Sequence, residues 1–237
     1  GLCCVLCQSS SELTEIIIRG ITMQSPYTFV HRTPNVTNEK QPAIFLLHGL
    51  GSNEHDLLQL VNEFEGSCHI FSLQGPIKHN PGYAFYTFEE EGIPTREVFD
   101  KVIQFTQAFI FEAIQEFNLD MEKIYVVGFN QGAVVAQTLA LVMGSAIRGT
   151  VALSGYIPEF VAVEYNKLPM DKSKIFISHG EYDYVYPLVW GEKSATFFKD
   201  YGADVTFKTY PDGHGVTPEN LQDLVAFIAS DLVTTIN

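Results

Sequence analysis

Asn130, Asp183 and His214 occur in the chain order of a hydrolytic triad: nucleophile position, then acid, then histidine. His214 lies in Asp212-Gly213-His214-Gly215, a loop setting in which an imidazole can serve as general base. Asp183 closes the segment His179-Gly180-Glu181-Tyr182-Asp183, just past a strand pattern, and its carboxylate would orient that imidazole. Position 130 sits at the centre of Gly128-Phe129-Asn130-Gln131-Gly132. There a β-branched run stops at a glycine and an alanine-rich helical pattern begins, which spells strand, sharp turn and helix. A residue on such a turn points into the space beyond the strand ends, where a nucleophile is needed. The turn wants Ser, or less often Cys or Asp, but carries a carboxamide. An amide nitrogen has a delocalised lone pair, and His214 cannot usefully deprotonate it. Asn does suit the backbone, because it tolerates positive φ better than most residues.

A second constellation lies upstream. The apolar run Ala43-Ile44-Phe45-Leu46-Leu47 ends in His48-Gly49-Leu50-Gly51. Glycines there let the backbone approach a reacting group, and the main-chain N–H of Leu50, with that of Gln131, would stabilise a tetrahedral oxyanion. Such donors are each worth about 3–4 kcal/mol in a transition state. His48 is expected to hold this loop, His179 to be structural, and Ser154, in a Ser-Gly pair after a strand, to form a turn.

These stretches carry a family resemblance. Leu47-His-Gly-Leu-Gly51, Gly128-Phe-Asn-Gln-Gly-Ala133, Leu153-Ser-Gly-Tyr156, His179-Gly-Glu-Tyr-Asp183 and Gly213-His-Gly215 come in the right order, within a likeness that covers roughly residues 12–232. The chain resembles the carboxylesterase/phospholipase group of α/β-hydrolases, which includes acyl-protein thioesterases and lysophospholipases. The resemblance implies hydrolysis of small-molecule carboxylic esters or thioesters without a metal or organic cofactor, and allows a homodimer. It assigns Asp183 and His214 as acid and base, Leu50 and Gln131 as the oxyanion hole, and Asn130 as the nucleophile position, where the family pattern has Ser.

Three accounts of Asn130 follow. It replaces a Ser and disables an enzyme; it belongs to a non-catalytic acyl- or lipid-binding pseudo-hydrolase that keeps the pocket; or it hydrolyses to Asp. The third ranks lowest from sequence, since Gln131 follows and no Asn-Gly deamidation pair exists. Substrate selectivity is expected from Leu50, from residues 77–94 with Tyr83, Phe85, Tyr86 and Phe88, and from the insertion Tyr156–Pro169, whose aromatics could line an acyl groove. No long lid is visible.

The elements that must position these residues read as follows. Strands are expected over Leu13–Arg19, Tyr27–His31, Ala43–Leu47, Cys68–Phe71, Lys123–Val127, Thr150–Leu153, Lys174–Ser178 and Val205–Tyr210. Helices are expected over Glu54–Phe64, from Thr95 through Phe117 with Val98, Val102, Phe105 and Phe109 facing inward, over Ala133–Met143 and Pro187–Tyr201, and from Pro218 after a Thr217 cap. Strands alternating with helices imply an α/β-hydrolase fold: a mostly parallel twisted sheet with helices on both faces and an antiparallel start.

Composition bounds the rest. With 237 residues and 46% hydrophobic content, the chain suits one domain over residues 11–237, preceded by a tail over 1–10. A net charge of −14 disfavours nucleic acid and anionic membrane surfaces. No apolar run reaches the 18 residues or so that a membrane span needs. Cys3, Cys4 and Cys7 crowd together without a fourth ligand for zinc, and Cys68 stands alone in an apolar run. Such sparse cysteine usage points to a reducing, cytoplasmic compartment.

Overall fold

The computed structural model describes residues 14–18, 21–25 and 27–232. The expected tail with Cys3, Cys4 and Cys7, and Leu13, Arg19 and Gly20 at the ends of the first expected strand, lie outside the described residues.

In chain order, β1 (Thr14–Ile18) and β2 (Ile21–Ser25) pair as an antiparallel hairpin of their own. Then come β3 (Phe29–Arg32), β4 (Gln41–Leu47), a 3-10 helix over Asp56–Phe64 and β5 (His69–Leu73). Two small antiparallel hairpins follow, β6 (Ile77–Lys78) with β7 (Tyr83–Ala84) and β8 (Phe88–Glu90) with β9 (Ile93–Pro94). The rest runs α1 (Arg96–Glu116), β10 (Leu119–Phe129), α2 (Gln131–Met143), β11 (Gly149–Leu153), α3 (Glu159–Glu164), β12 (Lys174–Gly180), α4 (Leu188–Asp200), β13 (Asp204–Tyr210) and α5 (Pro218–Leu232).

The main sheet has seven strands in the order β13-β12-β11-β10-β4-β5-β3. All neighbours are parallel except β3, which closes one edge antiparallel to β5. Central strands bury both faces, which explains their unbroken apolar runs. Along β4, Ala43, Phe45 and Leu47 point into the layer shared with α1, α2 and α4, while Ile44 and Leu46 point into the layer shared with the 3-10 helix and α5. Each such buried Leu, Ile or Phe side chain contributes about 1.5–3 kcal/mol. Among the described residues no helix is long and apolar enough to cross a membrane. Cys68 is buried and free as expected, and burial pushes its thiol up to about 12.

Several boundaries differ from expectation for physical reasons. The antiparallel start consists of a separate hairpin plus β3, because a second short strand, β2, follows the first. The expected helix over Glu54–Phe64 is a 3-10 helix flanked by three-residue closures, Asp56 N–H to the Asn53 carbonyl and Glu65 N–H to the Asn62 carbonyl. The buried face of α1 is rotated from the expected one. Phe99, Val102, Ile103, Thr106, Phe109 and Ile110 turn inward, whereas Phe105 is 44% exposed. The cap of α5 matches expectation, with the Asn220 N–H donating to Thr217 Oγ1 at 3.1 Å.

The parallel strands bring Leu47, Phe129, Leu153 and Gly180 to one edge of the sheet. Ligands bind at this carboxyl edge in open α/β sheets. At the β10–α2 junction strand and helix meet with no room for side chains. A Cβ on Gly132 would collide with the Leu47 carbonyl, and one on Gly128 with the Gly132 carbonyl.

Candidate active site

Asn130 sits on the β10–α2 turn at φ 56°, ψ −120°. A non-glycine residue there costs on the order of 1–3 kcal/mol, tolerated only where the surroundings fix it. They do: its N–H donates to the Leu153 carbonyl at 3.0 Å, and its own carbonyl accepts from Ala133 and Val134 at 3.0 and 3.1 Å. The side chain is therefore aimed away from the sheet, 6% exposed. Gly49 passes so close that a Cβ on it would lie 3.0 Å from the Asn130 Cβ.

The Asn130 carboxamide spans two of the expected groups. Its Oδ1 accepts from the Leu50 N–H at 3.0 Å, and its Nδ2 lies 2.8 Å from His214 Nε2. On the far side of the ring, His214 Nδ1 lies 2.7 Å from Asp183 Oδ2. With Nδ1–H donating to the carboxylate, Nε2 presents its lone pair to Nδ2. The Asp183 side chain has no exposed surface. Its second oxygen compensates that burial by accepting the Val185 and Tyr186 N–H groups, each at 2.9 Å. The rings of Phe129 and Tyr186 flank the imidazole, with centroids 4.9 and 5.3 Å away. An amide carbonyl oxygen on the main-chain donor, with the amide nitrogen toward the base, is the arrangement of a bound acyl group. Here the chain supplies it from its own side chain.

His48 and His179 hold the loops around this centre. His48 Nδ1–H donates to the Gly49 carbonyl at 2.7 Å, and Nε2 accepts the Gly75 N–H at 2.8 Å, tying the Leu50 loop to the segment after β5. His179 Nε2–H donates to the Tyr186 carbonyl at 2.7 Å, bracing the loop that carries Asp183. Burial lowers the pKa of each below the ordinary 6.5, opposed for each by its backbone hydrogen bond. The folded protein thus binds fewer protons at these rings than the unfolded chain. Their contribution is complete above the unfolded value and is lost as pH falls below about 6.5 toward the folded values. The urea midpoint is expected to drop between pH 7 and pH 5.5, above the range where most carboxylates titrate. A flat midpoint across that interval would contradict the neutral, buried state of both rings.

A match to the phospholipase/carboxylesterase family covers residues 31–232, a span that takes in the Leu50 loop, the turn at Asn130, Asp183 and His214. The chain belongs to this family. Acyl-protein thioesterase 1 of Candida albicans is 30% identical over 219 residues, covering 83% of this chain and 95% of the relative. The protein of the same name from Mycosarcoma maydis is 26% identical, covering 78% and 89%. The fold is shared with the Bacillus cereus carboxylesterase, with a TM-score of 0.78 at 24% identity over 86% of this chain and 94% of that one. It is also shared with a carboxylesterase from Mesorhizobium loti, with a TM-score of 0.76 at 17% identity over 91% and 98%.

In this phospholipase/carboxylesterase chain the other expected residues distribute as follows. Gln131 opens α2, where a first-turn N–H has no intrahelical acceptor. Its buried side chain has a second task invisible in sequence. Oε1 accepts the Phe85 N–H and Nε2 donates to the Tyr86 carbonyl, each at 2.9 Å, clamping the segment after β7. Tyr83 is tied to the Leu50 loop through its main chain, with Gly51 N–H donating to its carbonyl at 2.8 Å. Two of the residues expected at the pocket are buried. Phe85 is fully buried with its ring 4.8 Å from that of His48, and Tyr86 is 1% exposed against Phe99, with the backbone of both held by the Gln131 side chain.

Tyr156 does line a cavity, of about 410 Å³, together with Ile157, Trp190, Phe197, Glu91 and Lys193. None of Asn130, Asp183 and His214 lines it; the Tyr156 ring meets that of Tyr186 edge-on at 5.1 Å, and Tyr186 in turn lies against His214. Burial raises the Glu91 carboxyl, which His214 opposes from nearby. Ser154, also at positive φ, gives its N–H to the Ser178 carbonyl. No hydrogen bond among the described residues joins it to His214.

Sequence reasoning missed Tyr186. Its N–H holds Asp183, its carbonyl holds His179, its ring edges His214, and its hydroxyl faces Asn130 and Tyr86. Burial, first among the causes, keeps that phenol protonated and so a donor. A tyrosine two residues before α4 gives no signal of this in a linear reading.

Proposed function

We propose that this chain is an ester- or thioester-binding member of the phospholipase/carboxylesterase family whose acid–base pair and oxyanion donor are assembled but whose turnover is blocked at Asn130. The observation that carries the reading is the carboxamide bridge from the Leu50 N–H to His214 Nε2. With Ser at 130, His214 would take the hydroxyl proton as oxygen attacks an acyl carbon. Leu50 and Gln131 would then receive the oxyanion, and His214 would return the proton to the leaving alcohol or thiol. With Asn, the side chain cannot attack an acyl group, and its amide oxygen competes for the oxyanion donor.

The acyl part is assigned to the cavity beside Tyr156. Its volume falls within the usual ligand range of about 300–1,000 Å³, and its walls come from α4 together with residues 90–93 and 156–162, which belong to the segments expected to set selectivity. The names of the fungal relatives support a thioester as substrate class, and the cysteine usage supports a cytoplasmic setting. A non-catalytic acyl-binding role rests on the same bridge. The test is to assay the protein as it stands beside Asn130→Ser on short p-nitrophenyl esters. Turnover confined to the Ser variant supports the reading, and a folded, inactive Ser variant defeats it.

A further inference from the structure

The bridge that blocks the site also presents the Asn130 amide to the machinery as a substrate. Its carbonyl oxygen is on the Leu50 N–H at 3.0 Å, which polarises Cγ. Its nitrogen, the group that would leave, lies 2.8 Å from His214 Nε2. The imidazole is backed by Asp183 at 2.7 Å, and its side chain is 17% exposed, so solvent reaches its edge. A general base, a proton donor for the leaving nitrogen and an oxyanion donor therefore surround one carboxamide.

From this geometry we infer that the protein hydrolyses its own Asn130 side chain to aspartate, with water as the nucleophile. The inference rests on the acid–base reading above. His214 Nε2 takes a proton from a water molecule as the water oxygen bonds to Cγ, and Oδ1 gathers the negative charge on the Leu50 N–H. His214 then gives that proton to Nδ2, the Cγ–N bond breaks, and ammonia departs. The new carboxylic acid ionises and its proton leaves with ammonia as ammonium, so that amide plus water yields carboxylate plus ammonium. The route does not pass through a cyclic imide, so the Gln131 that follows in sequence is no obstacle to it. The product is a carboxylate beside His214, a nucleophile where the amide was none.

The test follows the full chain at pH 7.5 and 37 °C in ordinary and in ¹⁸O-labelled water, by intact mass and by mapping the peptide that contains position 130. The expected result is a gain of about one dalton in ordinary water and about three in labelled water, located at that residue, as aspartate without isoaspartate. His214→Gln is expected to slow conversion at least about 100-fold. Asp183→Asn, checked for native circular dichroism, should slow it too. An amide that persists in the folded protein, isoaspartate at position 130, or variants that convert as fast as the unsubstituted chain would overturn the inference. Failure here leaves the underlying reading intact as long as Asn130→Ser turns over esters; an inactive, folded Ser variant defeats that reading as well.

Discussion

Asn130→Ser is expected to raise hydrolysis of p-nitrophenyl acetate on the order of 10⁴- to 10⁶-fold above the Asn130 protein, since losing the nucleophile of a serine hydrolase can cost about 10⁶ in kcat. The size follows from what is already in place. Position 130 is presented by the turn at φ 56°, with His214 Nε2 within 2.8 Å of its side chain and the Leu50 N–H within 3.0 Å. The exchange removes a carboxamide that occupies the donor and supplies a hydroxyl that the imidazole can deprotonate. Nothing else need move: the main-chain hydrogen bonds to Leu153, Ala133 and Val134 involve no side-chain atom of residue 130. Steady-state rates on a short ester, with unfolding midpoints measured alongside, give the answer.

In that active background, adding Asp183→Asn is expected to lower kcat by about 10⁴-fold while changing KM little. Asp183 touches no space a substrate would fill. It accepts from His214 Nδ1 at 2.7 Å and from the Val185 and Tyr186 N–H groups at 2.9 Å. An amide at position 183 can keep a loop N–H on its oxygen, but turning its nitrogen to His214 moves the imidazole proton to Nε2. The base then offers a proton where a lone pair is needed. A loss confined to KM would show instead that Asp183 shapes the pocket.

Much of this centre was legible in the chain because its parts are local signals. The β-branched run into Gly128, the alanine-rich start of α2 and the glycines around Leu50 each specify a turn by sterics alone, and the fold places them at one sheet edge. What was not legible depends on tertiary packing. The hairpins of residues 77–94 have strands of two or three residues, too short to show alternation. The inward face of α1 depends on which of two overlapping helical stripes meets the sheet. Phe85 reads as a loop aromatic, but its backbone is held by the Gln131 side chain, 46 residues away, and its ring packs on His48. Tyr186 acquires its several contacts because the loop after β12 folds back over His179. The separation of 84 residues between Asn130 and His214 hides the bridge that now defines the site.

That bridge is most directly tested by labelling with a fluorophosphonate, which modifies a hydroxyl only when base and oxyanion donor activate it. The account predicts one adduct per chain in Asn130→Ser, mapped to position 130 and abolished by adding His214→Gln, with none on the Asn130 protein. A folded Ser variant that takes no label, or label carried by another residue such as Ser154, would contradict it.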